Sequence, residues 1–305
     1  MSKRGKLGRR WSISVAIIVL VVGGVALASW LFAIPQPKER DLTGLTGDVA
    51  RGAYVARLSG CIACHTDINN RGGILAGGAE IATDFGSFYA PNITPHPEDG
   101  IGKWSLEEFS RALTAGVSPD GNHYFPSFPY AFYKHLTDQD IVDLWAAVKS
   151  VPPVAGGPPE HDLQFPFGIR GGVAPWKKLY FDETELQPIP EKSKAWNRGR
   201  YIARGPGHCA ACHTPRTLLG GRKADQRYEG GVGPDNEKIP PITLEALKKG
   251  GWTKEDLMFA LRSGAMPNGD SFGGSMAELV RNGSRFWSNE DIEAVAEYLM
   301  SGDLR

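Results

Sequence analysis

The chain has four cysteines, and they fall in two places: CIACH at 61–65 and CAACH at 209–213. Each stretch reads C-x-x-C-H. Two thiols two residues apart can form thioether bonds to the two vinyl groups of one porphyrin, and the histidine that follows then lies against the iron as its proximal ligand. The pattern predicts two covalently bound c-type haems. Cys61 and Cys64 would hold one, with His65 on its iron; Cys209 and Cys212 would hold the other, with His213 on its iron. A thioredoxin-like redox pair or a zinc site of four thiolates would also use such cysteines. Neither accounts for a histidine directly after both pairs.

The elements that must position these groups occur twice. RGAYVARLSGCIACHT (51–66) matches RGRYIARGPGHCAACHT (198–214) with one inserted residue, and GKWSLEEFSRALTAGVSPDG (102–121) matches GGWTKEDLMFALRSGAMPNG (250–269) without a gap. Each half closes on an amphipathic helix, with Ile141, Leu144, Trp145 and Val148 in the first and Ile292, Val295, Ala296 and Leu299 in the second at i, i+3, i+4, i+7. Thr137 and Ser288 stand as N-caps, each with an acid three residues on, and Ser105 with Glu108 forms a capping box before the middle helix. Little strand alternation is visible. The pattern predicts an all-α fold of two domains, each about 105–120 residues, over residues 39–151 and 195–305. The Pro- and Gly-rich stretch 152–194 reads as a structured linker whose aromatic centre packs on one or both domains.

These features resemble tandem class I cytochrome c domains. More narrowly, APNITPHPEDGIGKWS, LTDQDIVDLWAAVKSVPPV, WNRGRYIARGPGHCAACHTPR and FGGSMAELV, spread through most of residues 48–301, resemble the membrane-associated cytochrome c subunits of bacterial alcohol, gluconate and fructose dehydrogenases. Those subunits usually carry three haems, and this chain has two motifs. The resemblance places the sixth iron ligand of the second haem at Met276, with Met266 of GAMPNG as its competitor and a turn residue otherwise. Met258 and Met300 read as core. It also marks Pro215 as the proline whose carbonyl orients the proximal histidine, and Arg216 as a partner for a haem propionate.

Continued through the first half, the same register puts Phe128 where the second half has Met276. Phenylalanine has no lone pair for iron. Three outcomes stay open: a histidine from the same half, an iron left five-coordinate under Phe128, or a ligand from elsewhere. His123 is the candidate in the right loop; His96 and His135 have weaker positional claims.

The formal net charge is zero, but five basic residues (Lys3, Arg4, Lys6, Arg9, Arg10) crowd the first ten positions, and the rest holds 29 Lys and Arg against 34 Asp and Glu. That balance argues against nucleic acid as a partner. An uncharged stretch over 12–34 follows the basic tip, with only Lys38 and Arg40 just after it. It reads as an uncleaved transmembrane anchor over 1–38 that leaves the haem-bearing part in the periplasm, with a cleaved signal peptide as the rival. The expectation is a membrane-anchored di-haem cytochrome c. It passes single electrons from a dehydrogenase or quinol-linked donor to a cytochrome or terminal oxidase, and has no catalytic residues of its own. The alternative is a peroxidase-like di-haem enzyme with an open first haem.

Overall fold

The computed structural model describes residues 3–32, 39–182, 184–233 and 237–304. Of the first stretch, side chains are described for 13 and 15–30; the ends of the expected membrane segment and its basic tip lie outside what is described. The first helix, α1 (Lys3–Phe32), exposes apolar side chains along its described residues, including Leu20, Val25 and Trp30. Among the described residues no helix is long and apolar enough to cross a membrane.

The structure as a whole is mostly helical, at 46% helix and 8% strand, so the all-α expectation holds in outline and misses two small sheets. The first half runs through α2 (Val49–Leu58), α3 (Cys61–His65), strands β1 (Glu80–Thr83) and β2 (Gly86–Tyr89), α4 (Leu106–Ala115), α5 (Tyr130–Tyr133) and α6 (Asp138–Ser150). The linker adds β3 (Asp162–Leu163) and α7 (Val173–Tyr180). The second half runs through α8 (Lys194–Arg204), β4 (Gly231–Val232), β5 (Lys238–Ile239), α9 (Leu244–Lys249), α10 (Lys254–Ser263), α11 (Gly274–Asn282) and α12 (Asn289–Met300). β1 pairs antiparallel with β2, with Ile81 opposite Phe88, and β3 adds to β2 through Gly86 and Leu163. These strands are too short to leave a clear period-2 signal in the sequence.

The helix ends follow their caps. Ser105 and Glu108 form the full capping box, and Thr253 with Asp256 forms a second one at the matching place. Thr137 and Ser288 each accept one backbone N–H, from Asp140 and Asp291. The expected apolar stripes are buried: Ile141, Leu144 and Val148 in one core cluster, and Ile292, Val295, Ala296 and Leu299 in the other.

In each half the entering helix packs on the closing one, α2 on α6 and α8 on α12. Both contacts depend on a glycine. A Cβ at Gly52 would run into the Asp143 carbonyl, and one at Gly199 into the Ala294 carbonyl. An arginine one residue before each glycine spans the same pair of helices, Arg51 to Asp143 and Arg198 to Asp291, both at 2.7 Å. The halves hold each other through an exchanged tyrosine. Tyr54 donates to Asp291 (2.7 Å) and accepts from Ser288 N–H (2.9 Å), while its counterpart Tyr201 donates to Asp140 and accepts from Thr137 N–H (3.4 Å).

Gly52→Ala and Gly199→Ala are each expected to destabilise the protein by about 1–3 kcal/mol through overpacking. A lowered urea midpoint at unchanged m would show it, and an unchanged midpoint would mean the helices can separate at no cost.

Candidate functional site

Both C-x-x-C-H motifs sit on a helical turn directly after an entering helix, which aims the two thiols and the histidine to one side. The four thiols are unpaired. Burial pushes Cys61 and Cys209 up to about 12 and Cys64 up to about 11. The Cys64 thiol is raised further by Glu278 of α11 and by the Cys212 thiol. Among the described residues no three Cys, His, Asp or Glu are grouped to hold a metal ion, which sets aside a zinc site of thiolates.

The histidines are buried or nearly so and are held alike. His65 Nδ1 lies 2.8 Å from the Pro91 carbonyl, and His213 Nδ1 lies 2.8 Å from the Pro240 carbonyl. A carbonyl can only accept, so Nδ1 carries the proton and Nε2 keeps its lone pair. Burial holds both rings below the ordinary histidine pKa and therefore neutral. A neutral imidazole with a bare Nε2, beside two thiols, is the donor set that a covalent haem needs, and the residues fit it at both places.

The loops that return the two carbonyls match bond for bond. Thr66 Oγ1 accepts from Leu75 N–H (3.1 Å), and Thr214 Oγ1 from Tyr228 N–H (3.2 Å). Leu75 and Tyr228 both adopt positive φ, 60° and 67°. Their carbonyls accept from Ile93 and Ile242, each at 2.9 Å. The orienting proline in the second half is thus Pro240, and Pro215 is not it: the Pro215 carbonyl accepts from Lys223 N–H at 2.9 Å. The usable signal was the pairing of PNIT (91–94) with PPIT (240–243). Arg216 spends Nη1 on the Gly220 carbonyl (2.8 Å) and Nη2 on the Ala211 carbonyl (2.7 Å), so its planar fork is committed to the turn rather than offered to a propionate.

The distal turns also match, which supports the ungapped register. Val117 bridges to His123 as Ala265 does to Ser271. Ser118 N–H donates to Asn122 O (2.9 Å), and Met266 N–H to Asp270 O (2.8 Å). Met266 is therefore a turn residue, while Met276 stands half-buried on the first turn of α11. Phe128 packs into the first core cluster, its ring edge-on to Tyr124, Tyr130 and Tyr133.

His123 lies on this turn, but it is held for another purpose. Its Nδ1 is 2.9 Å from the Nζ of Lys177, which reaches in from α7 and also donates to the carbonyls of Ala115 and Gly116 at the end of α4. An ammonium can only donate, so Nδ1 accepts and Nε2 carries the proton. That Nε2 is buried and has no hydrogen-bond partner among the described residues. This tautomer has no lone pair for iron, the reverse of His65 and His213. His96 Nδ1 accepts from Asp99 N–H (3.1 Å), and His135 Nδ1 from Leu186 N–H (3.2 Å) in the linker. Lys177 and the buried His208 were not singled out by the sequence reading.

No family model matches the chain. It is similar to a dihaem c-type cytochrome of Cereibacter sphaeroides, 38% identical over 299 residues, which are 95% of this chain and 97% of the relative. It is also similar to the cytochrome c subunit of the quinone-type alcohol dehydrogenase of Gluconobacter oxydans, 37% identical over 302 residues, covering 95% of this chain and 60% of the relative. The cytochrome subunit of the fructose dehydrogenase of Gluconobacter japonicus is 37% identical over 264 residues, 83% of this chain and 52% of the relative. The chain thus spans nearly all of the first relative and little more than half of the other two.

Burial holds His208 and His123 down to about 4 and His135 to about 3. These folded values lie below the unfolded value near 6.5, so the unfolded chain takes up protons first as pH falls. Stability is expected to be full above about pH 6.5, to fall by up to about 3 kcal/mol per histidine toward pH 4, and to flatten with respect to these groups only below about pH 3, the folded value of His135. Urea unfolding from pH 7.5 to 4 tests this, and His135→Phe should make the fall smaller.

Proposed function

Because this chain belongs to the family of dihaem c-type cytochromes and dehydrogenase cytochrome c subunits, and carries two covalently bound c-type haems, we propose that it is a membrane-anchored periplasmic electron carrier. It takes single electrons from a dehydrogenase or quinol-linked donor and gives them to a cytochrome or terminal oxidase. The observation that carries this reading is the doubled proximal arrangement, with two histidines each held by a proline carbonyl beside two unpaired thiols.

The fold is read as two tandem class I cytochrome c domains, 39–151 and 195–305, joined by the linker 152–194. When bound, the haems supply one-electron chemistry that no side chain offers. The chain's part is to bind, orient and bury. His65 and His213 would be the proximal ligands, and Cys61, Cys64, Cys209 and Cys212 the points of attachment. Met276 would supply a soft thioether to the second haem, which favours reduced iron. The aligned position in the first half is Phe128, which has no lone pair to offer. An enzyme with an open first haem would use the same opening. Peroxide chemistry needs a base over the iron, and burial pushes the hydroxyls of Tyr124, Tyr130 and Tyr133 around Phe128 well up, so none of them is a base near neutral pH and the carrier reading is the better supported.

Residues 12–34 are read as the anchor, with five basic residues before them on the cytoplasmic side. Arg40, just past it, ties the chain to the first half through the Leu136 carbonyl (2.9 Å) and Asp138 (2.7 Å), which supports a short tether between the proposed anchor and the haem-bearing part.

Purified protein is expected to give two haems per chain by pyridine haemochrome. Met276→Ala should abolish the far-red sulfur-to-iron band, and Met266→Ala should leave it. The opposite pattern would move the ligand to Met266, and a count other than two would sink the reading. Replacing residues 1–34 by a cleavable export signal should release the haem protein from membranes into the periplasmic fraction; retention on membranes would refute the anchor.

A further inference from the structure

The second attachment motif differs from the first by one inserted residue, His208, directly before Cys209. It adopts φ +36°, a left-handed conformation that a side chain bigger than glycine takes up at a cost and keeps only where its surroundings enforce it. Those surroundings belong to the other half of the protein. The His208 ring lies 6.0 Å from the ring of Phe132 and 6.0 Å from that of Tyr133, both on α5. The Ser59 backbone favours the protonated ring, and the Ser59 carbonyl accepts from the Tyr133 hydroxyl. Its Nε2 is 3.6 Å from where a Cβ on Gly60 would stand. Ser59 and Gly60 are the two residues before Cys61. One side chain thus joins the residue before Cys209 to the residues before Cys61.

We propose that His208 is a positioning residue that locks the two haem-attachment turns together and so sets the geometry, and with it the electronic coupling, between the two haems. This rests on the reading that both motifs carry haem. The contact is well suited to the task. The flanking rings of Phe132 and Tyr133 fix the tilt of the imidazole, its Nε2 closes on Gly60 beside the Ser59 backbone, and the attachment points lie one and two residues from the lock. The exchanged tyrosines Tyr54 and Tyr201 hold the halves at their closing helices. His208 acts at the attachment turns themselves, close to where the Cys64 and Cys212 thiols feel each other.

The test uses the full chain with both haems in place, confirmed by haemochrome count. Two haems held in a fixed relative orientation give a bisignate couplet in Soret-region circular dichroism, and their coupling shows in the separation of the two waves of a redox titration. His208→Phe keeps the aromatic packing and removes the donor. It is expected to abolish the couplet and shift the separation, with two haems still bound and the Met276 far-red band retained. His208→Gln, which restores a donor, is expected to return the couplet. A couplet and separation unchanged in His208→Phe, or no couplet in the wild type, overturns the proposal. Should His208→Phe load fewer than two haems, Tyr133→Phe, which removes the companion donor to Ser59, is read in the same way: a weakened couplet supports the lock and an unchanged one overturns it. A wild-type count other than two haems would instead remove the functional reading beneath it.

Discussion

The carbonyls of Pro91 and Pro240 decide what the two motif histidines can do. A neutral imidazole has one N–H to place, and giving it to a carbonyl at 2.8 Å leaves Nε2 bare. The acceptor is not local. It lies 26 residues on from His65 and 27 from His213, so each half must fold a long loop back on its own attachment turn. The strain that return requires is the same in both halves, a left-handed Leu75 and a left-handed Tyr228, each almost fully buried. A non-glycine residue in that conformation persists because the threonine hydroxyl before it and the isoleucine N–H after it both demand its backbone there.

Everything outside those loops keeps their ends in place. The entering helix brings the thiols, and its glycine lets it lie against the closing helix closely enough to do so. The linker is more than a tether. Lys177 is buried at the C-terminal end of α4, where unpaired carbonyls and the helix dipole both favour a cation, and it takes three acceptors there. Trp176, its neighbour, donates to the Leu219 carbonyl (2.8 Å) in the loop after the second motif. One short helix therefore binds the distal turn of the first half and the attachment loop of the second.

Legibility in the sequence followed the range of each interaction. Caps, amphipathic stripes and the C-x-x-C-H motifs are set within a few residues, and Ser105, Thr137, Ser288 and the buried faces of α6 and α12 could be read directly. The ungapped register was legible because Gly116 and Gly264, the left-handed ends of α4 and α10, repeat at the same place. Pro215 was misread because the motif was treated as a local unit, when the histidine's partner returns from Pro240. The small sheet escaped because four residues of EIAT and GSFY give too few alternations to count. Lys177 and His208 left no local signal at all. Each is defined by what it meets across the chain, a carbonyl cluster in one case and the Ser59 carbonyl in the other.

The two distal turns share a backbone, so what separates them is chemistry. In the first, burial and the Lys177 ammonium 2.9 Å away together keep the His123 ring neutral, and the lysine turns its proton to Nε2. The second turn has Ser271 at that place and needs no such arrangement. Five residues later the halves part again, with Phe128 wedged among three tyrosines and Met276 on the opening turn of a helix. The first half thus fixes its turn with a buried lysine–histidine pair and follows it with packed rings. The second has a thioether at the aligned position. With Phe128 and Met276 facing the irons as proposed, equal proximal sides and unequal distal sides would be a direct way for a repeated sequence to give two irons different potentials, since axial ligand and burial are the levers a protein has over a haem.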